Sequence, residues 1–72
     1  MSLQSEIQKS LNLVLKSHPK YQDWMYFDDV EIDNGVFIPR YKSPKAAGVE
    51  FSESEAKEIY QEVARHIIRV QN

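Results

Sequence analysis

The sequence predicts a small two-layer α+β domain in the order α-β-β-(β)-α, with an antiparallel hairpin or short sheet packed against two helices. Apolar residues recur with helical spacing near both ends of the chain. Between them, aromatic and β-branched residues flank a turn sequence, which is the pattern of a β-hairpin. A chain of 72 residues has the length of one domain, so we predict that residues 1–72 form a single unit.

The first element is predicted as a helix over residues 3–17. Ser2 is a good N-cap residue, and Glu6 in the first turn complements the positive end of the helix dipole. Pro19 ends the helix, because the residue before a proline is pushed out of helical dihedral angles. The apolar stripe of this helix consists of Leu3, Ile7, Leu11, Val14 and Leu15.

A β-hairpin is predicted over residues 24–42, with its turn at residues 33–35. The residues that predict the two strands are aromatic, β-branched or otherwise apolar, as is typical of half-buried strands. They are Trp24, Met25, Tyr26, Phe27, Val30 and Ile32 before the turn, and Val36, Phe37, Ile38 and Tyr41 after it.

Two registers of the hairpin are open. A two-residue loop would pair Ile32 with Phe37 and leave Val36 and Ile38 on the acidic face of the hairpin. A three-residue loop with a G1 bulge would instead pair Ile32 with Val36, and would place Ile38 on the same face. We favour the three-residue loop, because that register collects the apolar residues on one face.

The last element is predicted as a helix over residues 53–71. Ser52 and Glu55 have the spacing of a capping box, in which each residue satisfies a free backbone donor of the other. Between the hairpin and this helix, residues 43–48 form a connector, and residues 49–51 are a candidate third strand. The buried stripe of the helix is predicted to be Ala56, Ile59, Tyr60, Val63, Ala64, Ile67 and Val70.

Composition excludes several classes of site. The chain has no cysteine, so disulfides and thiol chemistry are absent, and we expect no metal and no cofactor. The acidic cluster 28–33 fails the ligand spacing of an EF-hand, which leaves a solvated acidic face or a weak surface cation site.

No apolar run is long enough to span a bilayer, and no signal peptide is evident. We therefore expect a cytoplasmic protein without a membrane partner.

The favoured register predicts a protein interface on the second face of the hairpin. If both helices cover one face, the apolar residues of the other face stay exposed, and aromatic and methionine side chains of this kind are enriched in interfaces. The alternative is that the two faces are covered internally. A small core makes a homodimer a natural source of additional buried surface. The predicted interface residues are Met25, Phe27, Phe37, Tyr41 and Ile68.

A second hypothesis is nucleic-acid binding through a local basic segment. Arg40, Lys42 and Lys45 lie in a stretch without acidic residues, and Tyr41 between them could stack on a base. The net charge of −2 and the acidic residues on the partner strand count against a polyanion as ligand. In the favoured register Arg40 lies across from Asp28.

No enzyme motif is present, and we predict no catalytic residues. The one exception worth testing is Glu62 with His66, which stand one helical turn apart and could form an acid–base pair. No serine elbow, phosphate loop or second histidine on that face accompanies them. The sequence therefore favours a small binding or regulatory domain that acts through protein–protein contact, and the basic segment is the alternative.

Overall fold

A computed structural model describes residues 2–68, with side chains described through residue 67. It contains two antiparallel strands packed against helices, so the predicted α+β two-layer architecture is confirmed. The elements in chain order are α1 (Leu3–Lys16), β1 (Phe27–Asp33), β2 (Val36–Tyr41), α2 (Pro44–Ala47) and α3 (Glu53–Ile68).

Helix α1 forms where the sequence predicts it. The Ser2 hydroxyl accepts a hydrogen bond from the Ser5 backbone N–H at 3.2 Å, which satisfies one of the free donors of the first turn. Ile7, Leu11 and Leu15 are buried, and their spacing of four residues places them on one face of the helix. This face is the part of the core that α1 contributes.

The hairpin turn contains two residues, which corrects the favoured three-residue register. Asn34 and Gly35 have φ angles of 51° and 78°, and two consecutive positive φ angles define a type I′ turn. Ile32 consequently pairs with Phe37, and not with Val36. The register follows the turn and does not maximise the number of apolar residues on one face, because the backbone twist of a type I′ turn matches the right-handed twist of the strands.

A β-bulge near the start of β1 changes which residues face the core. Phe27 pairs with Tyr41, and the next pair is Asp29 with Arg40. Asp28 is therefore the additional residue of the bulge and has no partner on β2. Val30 pairs with Pro39. Phe27 and Val30 are therefore both buried on the same side of the hairpin, although they are three positions apart.

The connector 43–48 contains a one-turn helix, α2, which the sequence analysis did not predict. The Ser43 hydroxyl accepts from the Ala46 backbone N–H at 3.2 Å, and Pro44 follows the cap in the first helical turn. Gly48 ends the turn with a φ of 70°, a conformation that favours glycine. Residues 49–51 do not form a strand, so the candidate third strand was wrong.

Helix α3 packs its predicted stripe into the core. The Ser52 hydroxyl accepts from the Glu55 backbone N–H at 3.3 Å, which is one half of the predicted capping box. Ala64 and Ile67 are half-buried, and Val70 lies outside the described residues. The buried members of the stripe are Ala56, Ile59, Tyr60 and Val63.

Side-chain amides on α1 cover the outer edge of β1. Gln4 donates to the carbonyl oxygen of Val30 at 3.0 Å, and Gln8 donates to that of Phe27 at 3.0 Å. Asn12 donates to the same Phe27 oxygen at 3.1 Å and accepts from the Phe27 N–H at 2.7 Å. At Phe27 and Val30 these amides supply the partners that a third strand would have supplied.

Candidate functional site

The predicted interface residues do not form a continuous exposed surface. Met25 and Phe27 are buried, with 2% and 0% of their surface exposed, and Phe37 and Tyr41 are half-buried against the core. The side chain of Ile68 lies outside the described part of the structure. The bulge and the two-residue turn direct Phe27, Phe37 and Tyr41 towards the helices, which is the physical reason for this correction.

An aromatic cluster accounts for the burial of Phe27 and Tyr41. The Tyr41 ring stacks on that of Tyr60 with 4.1 Å between centroids, and Phe27 meets Tyr60 edge-to-face at 5.2 Å. The Tyr60 hydroxyl donates to the carbonyl oxygen of Lys42 at 2.7 Å. Burial raises the pKa of Tyr60 to about 12. This cluster joins α3 to the hairpin and is part of the core.

The apolar residues that are exposed on the hairpin belong to the face that the favoured register had predicted to be covered by the helices. Ile32, Val36 and Ile38 are 47%, 58% and 36% exposed, and Phe37 beside them is half-buried. We call these four residues the hairpin surface. The Asn34-Gly35 sequence could have predicted the exposure of these residues, since Asn-Gly favours a type I′ turn and this turn fixes the register of the hairpin.

The hairpin surface extends over both faces of the sheet. Ile32 and Phe37 are cross-strand partners, so they share the face that carries the core. Val36 and Ile38 alternate with Phe37 along β2 and point to the opposite face. The tip of the hairpin therefore presents apolar groups on either side.

Charged residues surround Val36 and Ile38. Arg40 donates to Glu31 through Nε at 2.9 Å and through Nη2 at 2.7 Å, and this carboxylate raises the pKa of Arg40. Arg40 lies opposite Asp29 in the sheet, so the predicted cross-strand pair with Asp28 is wrong. An exposed pair of this kind contributes little stability, but it neutralises the one cation on this face of β2.

The acidic residues near the turn do not converge on a cation site. Asp29, Glu31 and Asp33 line a shallow groove of about 500 Å³ beside β1. Among the described residues, no three histidine or acidic side chains are placed to hold a metal ion.

The side chains of the predicted basic segment have different surroundings and do not form one binding surface. The guanidinium of Arg40 is occupied by Glu31, and the ring of Tyr41 is stacked on Tyr60. The Lys42 ammonium lies 5.7 Å from the ring centroid of Tyr26, and Lys45 stands on α2. Stacking of a base on Tyr41 would require this residue to leave the aromatic cluster.

Glu62 forms a hydrogen bond with His18, whereas the acid–base pair considered from the sequence was Glu62 with His66. Its Oε2 atom lies 2.7 Å from Nε2 of His18, and this hydrogen bond lowers the pKa of Glu62. His18 Nδ1 accepts from the backbone N–H of Lys20 at 3.0 Å, so the proton of a neutral imidazole lies on Nε2 and points at Glu62. The pair connects the end of α1 to α3, and His66 makes no hydrogen bond to Glu62.

None of the described helices combines the length and the apolar character that a membrane span requires. Comparison with known proteins gives no match: no family model fits the chain, and no curated protein or solved structure is significantly similar to it. The hairpin surface is consequently interpreted from its own geometry and chemistry.

Proposed function

We propose that this chain is a small non-catalytic binding or regulatory domain that acts through protein–protein contact, and that it forms a homodimer through the hairpin surface. The observation that carries the proposal is the exposure of three apolar side chains at the tip of one hairpin, Ile32 on one face and Val36 with Ile38 on the other. Neighbouring apolar side chains on a protruding element are typical of interaction surfaces, whereas single exposed apolar residues need no explanation.

The energetics support burial of this surface against another protein. Covering a large aliphatic side chain contributes about 1.5–3 kcal/mol when it is fully removed from water. The charged residues Glu31, Asp33 and Arg40 lie at the border of the surface, which matches the polar rim and apolar centre of known interfaces.

Substitution of Ile38 by lysine tests the proposal. We expect Ile38→Lys to weaken the dimer at least tenfold, because it places an ammonium group inside an apolar interface. A lysine at this position faces Glu31 across the sheet, so the folded monomer tolerates it. The dissociation constant is measured by analytical ultracentrifugation over a range of protein concentrations.

The matched control is Leu13→Lys, which makes the same kind of change at an exposed apolar position on α1. We expect this variant to dimerise like the native chain. A native protein that stays monomeric at every concentration contradicts the homodimer. Equal dissociation constants for the native chain and both variants contradict the assignment of the surface.

Nucleic-acid binding through Arg40, Tyr41, Lys42 and Lys45 remains the second hypothesis, and no contact in the described residues favours it. The Arg40–Glu31 ion pair and the stacking of Tyr41 on Tyr60 both count against it. The proposal for the hairpin surface therefore takes precedence.

A further inference from the structure

The two edges of the sheet differ in how their backbone groups are satisfied. On the outer edge of β1, the carbonyl oxygens of Val30 and Phe27 accept from the amides of Gln4, Gln8 and Asn12. Within residues 2–68, no side chain or loop donates to or accepts from the backbone of β2 on its outer edge. An uncovered edge is a template for pairing with another strand. The free edge of β2 is therefore a candidate docking site.

The backbone groups that β2 offers at this edge follow from the turn. A two-residue loop closes on a hydrogen-bonded pair, here Asp33 with Val36, so the N–H and C=O of Val36 and Ile38 point towards β1. The groups of Phe37 and Pro39 point outwards. Phe37 offers a donor and an acceptor, whereas Pro39 offers only its carbonyl oxygen.

We infer that β2 pairs with β2 of a second copy of this chain, antiparallel, about a twofold axis that passes beside Phe37. This inference rests on the proposed homodimer and specifies how it forms. The N–H of Phe37 donates to the carbonyl oxygen of Phe37 of the second copy, and the symmetric bond forms in return. The two hairpins become one four-stranded antiparallel sheet in the order β1-β2-β2-β1.

Pro39 selects this register from the alternatives. An axis at Ile38 would place Pro39 opposite Phe37 of the second copy, where the proline lacks the required N–H and its ring approaches the facing carbonyl group. An axis at Pro39 would place the two prolines opposite each other with no donor between them. With the axis at Phe37, Pro39 lies beyond the central pair and opposes the turn residue Gly35.

The side chains also match in this register. On the core face, Ile32 and Phe37 of one copy continue into Phe37 and Ile32 of the other, so four apolar residues form one row across the sheet. On the opposite face, Val36 of each copy lies directly across from Ile38 of the other. Val36, Phe37 and Ile38 each acquire an apolar neighbour from the second copy, which is why a second copy is a better occupant than a polar peptide.

The assembly closes after two copies. Both outer strands of the four-stranded sheet are β1 strands, whose outward backbone groups at Phe27 and Val30 already bond to Gln4, Gln8 and Asn12. A twofold pairing uses the β2 edge of each copy, so no β2 edge is left for a third copy. The expected product is a dimer and not a filament.

Disulfide trapping tests the register, because the native chain contains no cysteine. Val36 and Ile38 of the second copy form a non-hydrogen-bonded pair in this register, with about 4.5 Å between Cα atoms. Disulfides require Cα separations of about 4.4–6.8 Å. Two copies of Val36, or two copies of Ile38, would lie about 8 Å apart, too far to be bridged.

The experiment mixes Val36→Cys and Ile38→Cys chains of different mass under oxidising conditions and quantifies the products by mass spectrometry. We expect the mixed disulfide to exceed each self-linked product about tenfold, because only the mixed pair meets the distance requirement. Each variant alone serves as the control for random collision. Both residues are exposed, so the substitutions leave the core intact.

The outcomes separate the inference from the proposed function. A dimer by ultracentrifugation that gives no excess of mixed disulfide overturns the β2 pairing and leaves the homodimer standing. Dominant self-linking of Ile38→Cys overturns the register in favour of an axis at Ile38. A monomer at every concentration overturns both the pairing and the proposed homodimer.

Discussion

Asn12 shows how one side chain can connect two elements of this fold. Asparagine is a weak helix former because its amide competes for backbone hydrogen bonds, yet it occupies the centre of α1. Its Oδ1 atom accepts from the Phe27 N–H at 2.7 Å and its Nδ2 atom donates to the Phe27 carbonyl at 3.1 Å. The residue therefore satisfies both backbone groups at the start of β1.

Asn12→Ala is expected to destabilise the protein by about 1–3 kcal/mol, because the Phe27 N–H loses its partner at a partly buried position. Alanine is the better helix former, so helix propensity acts in the opposite direction. Urea unfolding monitored by circular dichroism measures the change. Gln61→Ala on the exposed face of α3 is the control and should leave the midpoint nearly unchanged. A stabilised Asn12→Ala protein would contradict the role assigned to this amide.

Within the hairpin, turn chemistry decided a register that the apolar pattern had predicted differently. Positive φ angles at Asn34 and Gly35 allow the two-residue loop, and its twist fits the strands. The consequence is the exposure of Val36 and Ile38, which costs buried apolar surface. A sequence rule that maximises the apolar content of one face cannot anticipate this, because it omits the turn and the bulge at Asp28.

Gly35 provides a test of this turn. A Cβ atom added at Gly35 would meet no atom within 4 Å, so any loss of stability in Gly35→Ala comes from the backbone at φ 78°. We expect a loss of about 1–2 kcal/mol in thermal or urea unfolding. Gly35→Asn should lose less, since asparagine tolerates left-handed dihedral angles better than alanine. Equal stability of the three proteins would contradict the type I′ geometry.

The helices were more predictable than the hairpin. The caps at Ser2 and Ser52 and the spacing of apolar residues in α1 and α3 depend on local sequence, and the structure confirms both helix starts. Helix α2 was missed although Ser43, Pro44 and Gly48 are the residues of a capped helical turn. A single turn has too few positions for a helical period, so the pattern alone does not distinguish it from a connector.

Across the entire domain, Tyr60 links the stability of the fold to pH. The ring is fully buried between Phe27 and Tyr41, and burial raises the pKa of its hydroxyl from 10.0 to about 12. The neutral phenol is the form that the fold favours. The corresponding stabilisation is complete below pH 10 and is lost as the pH rises towards about 12.

We expect the free energy of unfolding of the native protein to fall between pH 10 and about 12, since the unfolded chain releases the Tyr60 proton first. Tyr60→Phe should show a flatter dependence in this range, because it lacks the ionisable group. Urea unfolding at a series of alkaline pH values measures both. Tyr26→Phe, at an exposed position, is the control and should keep the native slope. Identical slopes for Tyr60→Phe and the native chain would contradict the assignment.

The fold class, the first and last helices and most of the core could be predicted from the sequence, because caps and apolar periodicity act between residues that are close in the chain. The sequence also carried the turn signal at Asn34-Gly35, but could not weigh that signal against the apolar pattern. The burial of Phe27 and Val30 on one face depended on contacts between distant residues, since the bulge at Asp28 and the amides of α1 set the position of β1. The candidate site lies in that part of the chain, where the register follows from the turn and the position of β1 follows from its contacts with α1.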